Sequence, residues 1–130
     1  MRYKGGILRK ENGTALKELP KGERMRVIRY HKLVRDRIPE IIEQSGKTCL
    51  TRILTREEYL AGLDAKLDEE LAEFRETPCV EELADLLEVL RACACAHGFS
   101  MEEVERVRRE KAVERGGFAK RIELLEVREA

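Results

Sequence analysis

The sequence predicts an all-α fold, an antiparallel bundle of about four helices with short extended segments at the termini, and three observations predict it. Leu, Ala, Glu and Arg dominate the composition, and all four are good helix formers. Two capping boxes, Thr55-Arg56-Glu57-Glu58 and Ser100-Met101-Glu102-Glu103, each mark a helix start. Between them, apolar residues recur at helical spacing on both sides of a Thr77-Pro78 break. At 130 residues the chain fits one domain, small enough that oligomerisation would help to bury its apolar faces.

Residues 1–27 read as an N-terminal extension ahead of a helical domain at 28–130. In the extension, Ile7-Leu8 and Ala15-Leu16 flank Glu11-Asn12-Gly13-Thr14. That pattern fits an Asn-Gly hairpin, with a mobile segment as the alternative, and Met25 to Tyr30 forms a further extended run. Asp36 is the expected N-cap of a short helix with Pro39 in its first turn and Ser45-Gly46 as its stop. Lys47 to Leu54 is expected as a short strand. Thr55 opens a long helix that Thr77-Pro78 ends, and the next helix runs to His97-Gly98. Ser100 opens a third long helix ending near Arg115, before Gly116-Gly117. Phe118 to Val127 closes the chain as an extended segment, with Ile122, Leu124 and Val127 partly buried.

The helices either side of Thr77-Pro78 carry the chemistry. Side chains three apart lie on neighbouring turns of one helix side, so Glu70 and Glu73 form one acidic pair and Glu82 and Asp85 another. With about 100° per residue, Leu60, Leu63, Leu67, Leu71 and Phe74 make an apolar stripe with Glu70 at its edge, while Glu69 turns away. In the second helix Leu83, Leu86, Leu87, Leu90 and Ala94 make the main stripe, and Glu82 and Asp85 share another face with Val89, Ala92 and Ala96. Antiparallel packing would bring the two pairs together. Four buried carboxylates repel one another, and a hard divalent cation such as Mg²⁺, which takes oxygen ligands, removes the penalty. The competing reading is a solvated acidic face in a chain that is 40% charged.

Two basic clusters could serve a phosphate substrate: Lys32, Arg35 and Arg37, and Lys111, Arg115, Lys120 and Arg121 around a double glycine that lets an anion approach the backbone. Lys+Arg 26 against Asp+Glu 26 argues against a nucleic-acid polymer or a membrane surface as partner. No apolar run approaches a membrane span and no signal peptide is evident, so a cytoplasmic location is expected. The four cysteines fit no C-x-x-C pattern and are read as reduced core thiols; His31 and His97 lack ligand-spaced neighbours and are read as loop and helix-end residues.

The order Lys32-Leu-Val-Arg-Asp-Arg-Ile-Pro-Glu-Ile-Ile, Glu69-Glu70-x-x-Glu73, Glu82-x-x-Asp85-Leu-Leu-Glu and Arg115-Gly-Gly-Phe118 resembles the MazG-like all-α nucleoside triphosphate pyrophosphohydrolases. It looks closest to the small predicted house-cleaning branch and is also similar to phosphoribosyl-ATP pyrophosphohydrolase. The resemblance covers about residues 28–127. It implies a homodimer or homotetramer acting on a nucleotide, with Glu70, Glu73, Glu82 and Asp85 as ligands of Mg²⁺, Mn²⁺ being the alternative. Glu69, Glu70 and Glu73 are the implied catalytic residues, and Lys32, Arg35, Lys111, Arg115, Lys120 and Arg121 the candidates for the phosphate chain. The implied reaction is hydrolysis of a canonical or damaged nucleoside triphosphate to a monophosphate and pyrophosphate. The alternatives are the same chemistry on phosphoribosyl-ATP, and a helical oligomer that binds nucleotides or proteins without turnover.

Overall fold

The computed structural model describes residues 14–18 and 24–130, with side chains from Arg26 onward. The described chain is mostly helical. It comprises strands β1 (Thr14–Glu18) and β2 (Arg24–Ile28), then helices α1 (Ile38–Gln44), α2 (Arg56–Glu76), α3 (Val80–Ala96) and α4 (Met101–Arg115). The described residues up to Cys93 form one compact unit and Ala94–Ala130 a second. Among the described residues no helix is long and apolar enough to cross a membrane.

The strands pair antiparallel, Thr14 opposite Ile28 and Glu18 opposite Arg24. Ala15-Leu16 is therefore one arm of a ribbon whose other arm is the Met25 run. The expected turn at Asn12-Gly13 lies outside the described residues.

Helix α1 starts one residue later than the sequence suggests. The Ile38 amide donates to the Arg35 carbonyl at 3.0 Å, closing a turn that holds Asp36 inside it. Arg37 becomes the N-cap and makes no side-chain capping bond, so Asp36 is not the cap. Pro39 stands in the first turn as expected, where no helical N–H is required. Lys47 to Leu54 forms no strand, and Leu50 and Ile53 are almost fully exposed.

Helix α2 is fixed at its start by local chemistry. The Glu58 amide donates to Thr55 Oγ1 and the Thr55 amide donates to Glu58 Oε1, a complete capping box. The Arg52 guanidinium then grips the same Glu58 carboxylate with two hydrogen bonds. Further along, the buried residues are Leu63, Lys66, Glu70 and Glu73, a 3-4-3 spacing that keeps one seam of the helix against neighbouring chain. On α3 the buried residues of the first unit are Glu82, Asp85 and Val89, again 3 and 4 apart. Each helix thus places ionised residue types at seam positions where an ordinary bundle places Leu or Val.

The face of α3 with the most leucines is the more open one. Leu83, Leu87 and Leu90 are 50%, 52% and 45% exposed, although their spacing marks them as the main stripe. The side carrying Glu82, Asp85 and Val89 is the one buried within this chain.

In the second unit, Gly98 adopts φ +81° after α3, and Ser100 Oγ caps α4 by accepting from the Glu103 amide at 3.1 Å. Gly116 ends α4 in the left-handed region that glycine enters at little cost. No residue of α4 is buried. Phe118 to Val127 forms no strand, and Ile122, Leu124 and Val127 are exposed rather than partly buried. All four cysteines are free thiols, but Cys79 and Cys95 are exposed and Cys49 and Cys93 half-buried, so they are not core residues. Burial raises the Cys93 thiol above its ordinary range, with the Asp64 carboxylate adding to the rise.

Candidate metal centre

Glu70 from α2 and Glu82 and Asp85 from α3 each bring a carboxylate oxygen to within 4.8 Å of the other two, and all three residues are buried. Glu70 is the most enclosed, at 2% exposure. The local reason is the seam spacing: Glu82 and Asp85 are three apart, and Glu70 occupies the α2 position between Lys66 and Glu73. Burial pushes the Glu70 carboxyl above the usual carboxylate range; the Lys66 ammonium opposes this, while Asp85, Glu69 and Glu82 add to it.

The cluster is short of donors. Glu70 Oε2, Glu73 Oε1 and Asp85 Oδ2 are buried oxygens that accept no hydrogen bond among the described residues. A buried acceptor left unmade costs about 1–3 kcal/mol. Oxygen-only donors of negative charge, close enough to share one cation, suit Mg²⁺ or Mn²⁺ far better than a soft metal. The residues present fit a hard divalent ion.

Three of the four expected ligands converge. Glu73 is buried on the same side of α2, yet it does not join the group in which Glu70, Glu82 and Asp85 meet. Glu69 differs from expectation in the other direction. Rather than turning away, it is largely buried between two ammonium groups, Lys32 Nζ at 3.0 Å from Oε1 and Lys66 Nζ at 3.3 Å from Oε2. The helical wheel placed it outward because it counts only α2; the segment before α1 covers that side. Leu33 of this segment lies 3.5 Å from where a Cβ on Gly62 would stand, so the segment is seated on α2.

The same segment reaches both acid-bearing helices. Lys32 meets Glu69 of α2, and Arg35 Nη2 donates to Asp85 Oδ1 of α3 at 2.9 Å. Two of the expected phosphate ligands are therefore engaged with acids. Lys111, Arg115, Lys120 and Arg121 are exposed in the second unit. His31 is exposed at φ +48°, and exposed His97 stacks on Phe99 with ring centroids 6.2 Å apart.

Sequence reasoning passed over Lys66. It lies 3.3 Å from Glu69 and 3.8 Å from Glu70 Oε1, with its side chain only 8% exposed. Its spacing, three and four residues ahead of two acids, was the available signal.

No family model matches this chain. No solved structure matches it either. A 43-residue stretch, 33% of the chain, is 65% identical to an uncharacterized protein of Mycolicibacterium smegmatis (strain ATCC 700084 / mc(2)155). The match spans 44% of that protein, less than half of its length.

Proposed function

We infer that the chain is a Mg²⁺-dependent pyrophosphohydrolase, with Mn²⁺ as a substitute ion, cleaving a canonical or damaged nucleoside triphosphate to a monophosphate and pyrophosphate. The observation that carries this reading is the meeting of the buried Glu70, Glu82 and Asp85 carboxylates, with Glu70 Oε2 and Asp85 Oδ2 accepting no hydrogen bond among the described residues. The motif order set out above supports the choice of substrate class. In this reading α2 and α3 form an antiparallel hairpin, since Glu70 lies six residues before the end of α2 and Glu82 two after the start of α3.

Glu70, Glu82 and Asp85 would hold the ion. When bound, it supplies charge neutralisation at phosphoryl oxygens and a water acidified enough to attack phosphorus. Glu73 Oε1 is the candidate acceptor for the proton that the attacking water gives up. Arg35, half-exposed at the rim, and Lys32 supply positive charge toward the phosphate chain. Glu69 holds Lys32 and Lys66 in place. Lys111, Arg115, Lys120 and Arg121 remain phosphate-ligand candidates on the sequence argument of basic charge around Gly116-Gly117. The open Leu83, Leu87 and Leu90 side of α3 supports a homodimer or homotetramer in which a second copy covers it. Four free thiols suit the reducing cytoplasm.

The test is pyrophosphate release from a panel of nucleoside triphosphates and phosphoribosyl-ATP, each with Mg²⁺, with Mn²⁺ and with EDTA. Release that needs the ion and vanishes in Glu70→Gln is expected. Failure of every substrate, or full turnover by Glu70→Gln, would overturn the reading and leave a non-catalytic helical protein. Preference for phosphoribosyl-ATP would move the substrate assignment without moving the site.

A further inference from the structure

Lysine is among the residues least often buried, and it is buried only where something repays the loss of water. Here two lysine side chains, Lys32 and Lys66, are each only 8% exposed, and both touch Glu69. Lys66 also reaches Glu70 Oε1, while the buried Oε2 accepts no hydrogen bond among the described residues. Asp85 repeats the pattern, with the Arg35 guanidinium on Oδ1 and the buried Oδ2 accepting no hydrogen bond. Two residues of the converging triad thus each give one oxygen to a cation of the chain itself and keep a second, buried oxygen that accepts no hydrogen bond among the described residues.

An ordinary helical ion pair has a different appearance. The pairs on α4, such as Arg108 with Glu105, are exposed on both partners. Lys66 instead sits in the seam, between the acid that anchors the segment before α1 and the acid at the centre of the cluster. Arg35 comes from that same segment, three residues after Lys32, and its side chain is 46% exposed, so it can leave Asp85 for water or an anion without crossing packed chain.

We propose that Lys66 and Arg35 are built-in counter-ions of the acidic cluster, stabilising the metal-free chain and competing with a divalent cation for Glu70 and Asp85. The inference rests on the metal-dependent reading above. A unit positive charge a few ångströms from a divalent ion opposes its binding at protein-like dielectric, so each counter-ion sets the affinity lower than the carboxylates alone would give. Binding of the ion would also release Arg35 from Asp85. The group that guards the site in the empty chain then becomes available to a phosphate oxygen, which ties substrate capture to metal occupancy.

The experiment measures Mn²⁺ and Mg²⁺ binding by calorimetry without nucleotide, together with thermal melting in EDTA, on the full chain and on Lys66→Met, Lys66→Arg and Arg35→Met. Lys66→Met and Arg35→Met are each expected to bind the ion about tenfold more tightly and to melt at lower temperature in EDTA. Lys66→Arg, which keeps the charge, should stay close to the parent chain. If Lys66→Met does not fold, Arg35→Met carries the test, because its side chain is half in solvent. Unchanged or weaker ion binding by Arg35→Met, or by a folded Lys66→Met, overturns the counter-ion proposal while leaving the metal reading intact. Absence of ion binding in the parent chain and in every variant overturns the metal reading itself, and with it the competition; the EDTA melts then report only an ordinary stabilising role.

Discussion

Helices α2 and α4 are both rich in Glu and basic residues, yet they put them to opposite use. On α4 the charges face water: Glu105 with Arg108 and Arg106 with Glu110 pair at i,i+3 and i,i+4, and no residue is buried. On α2 the same residue types occupy the buried seam, with Lys66, Glu70 and Glu73 where α4 exposes its charges. Exposed pairs of this kind contribute little, since water and salt screen them. Buried carboxylates have no such relief and must find a cation, a donor or a proton. The lesson is that charge density along a helix says little about function until burial is known.

The strongest way to break this contrast is to neutralise one acid on each helix. Glu70→Gln on α2 should lower pyrophosphate release by about 10³-fold or more, since it removes a group that would bind the ion. Glu105→Gln on α4 should leave the rate within about twofold, as expected for a surface substitution. Steady-state rates at saturating Mg²⁺ check both, and comparable losses on the two helices would end the distinction.

Stability without metal gives the next effect. The folded-state Glu70 carboxyl titrates above its unfolded value near 4.3, so between the two the native chain binds more protons and stability falls as pH rises. Glu70→Gln removes that decline. Its melting temperature in EDTA at neutral pH should exceed the parent's by several degrees, the ordinary scale of a single buried substitution. Parallel melting curves against pH for the two proteins would show that burial of Glu70 is not felt.

A smaller effect belongs to the exposed start of α2. The Arg52 side chain bonded to Glu58 is the main reason that this carboxyl titrates at about 2. With a depressed folded value, its contribution is present above the unfolded value near 4.3 and is lost as pH falls toward 2. Arg52→Gln should raise the Glu58 midpoint toward the ordinary range, read by NMR titration, without affecting catalysis at neutral pH. An unmoved midpoint would assign the shift to the capping box instead. Smallest of all is Arg108→Gln on α4, which should leave the melting temperature unchanged within error; a clear drop would mean that α4 is covered by something this chain does not itself provide.

Local chemistry made much of this protein legible from its sequence. Thr55 and Ser100 start their helices, and Gly98 and Gly116 end theirs, because a cap needs only residues three or four apart. The 3-4 spacing of Glu70, Glu73, Glu82 and Asp85 likewise placed each pair on one helix side without reference to the rest of the chain. Asp36 shows the limit of the method: one turn bond, Ile38 to Arg35, shifted the cap by a residue.

What only the tertiary structure decided is which faces are covered and which charges meet. Helical periodicity marks a stripe but cannot say what lies against it, so the leucine-rich side of α3 looked like the core while the acid-bearing side is the one buried here. Glu69 looked outward until the segment at Lys32 was laid across it, and only the fold shows Lys66 buried against Glu69 and Glu70. Burial and charge pairing between residues up to fifty apart depend on how the chain returns on itself, and for Arg35 and Asp85 no local rule encodes that return.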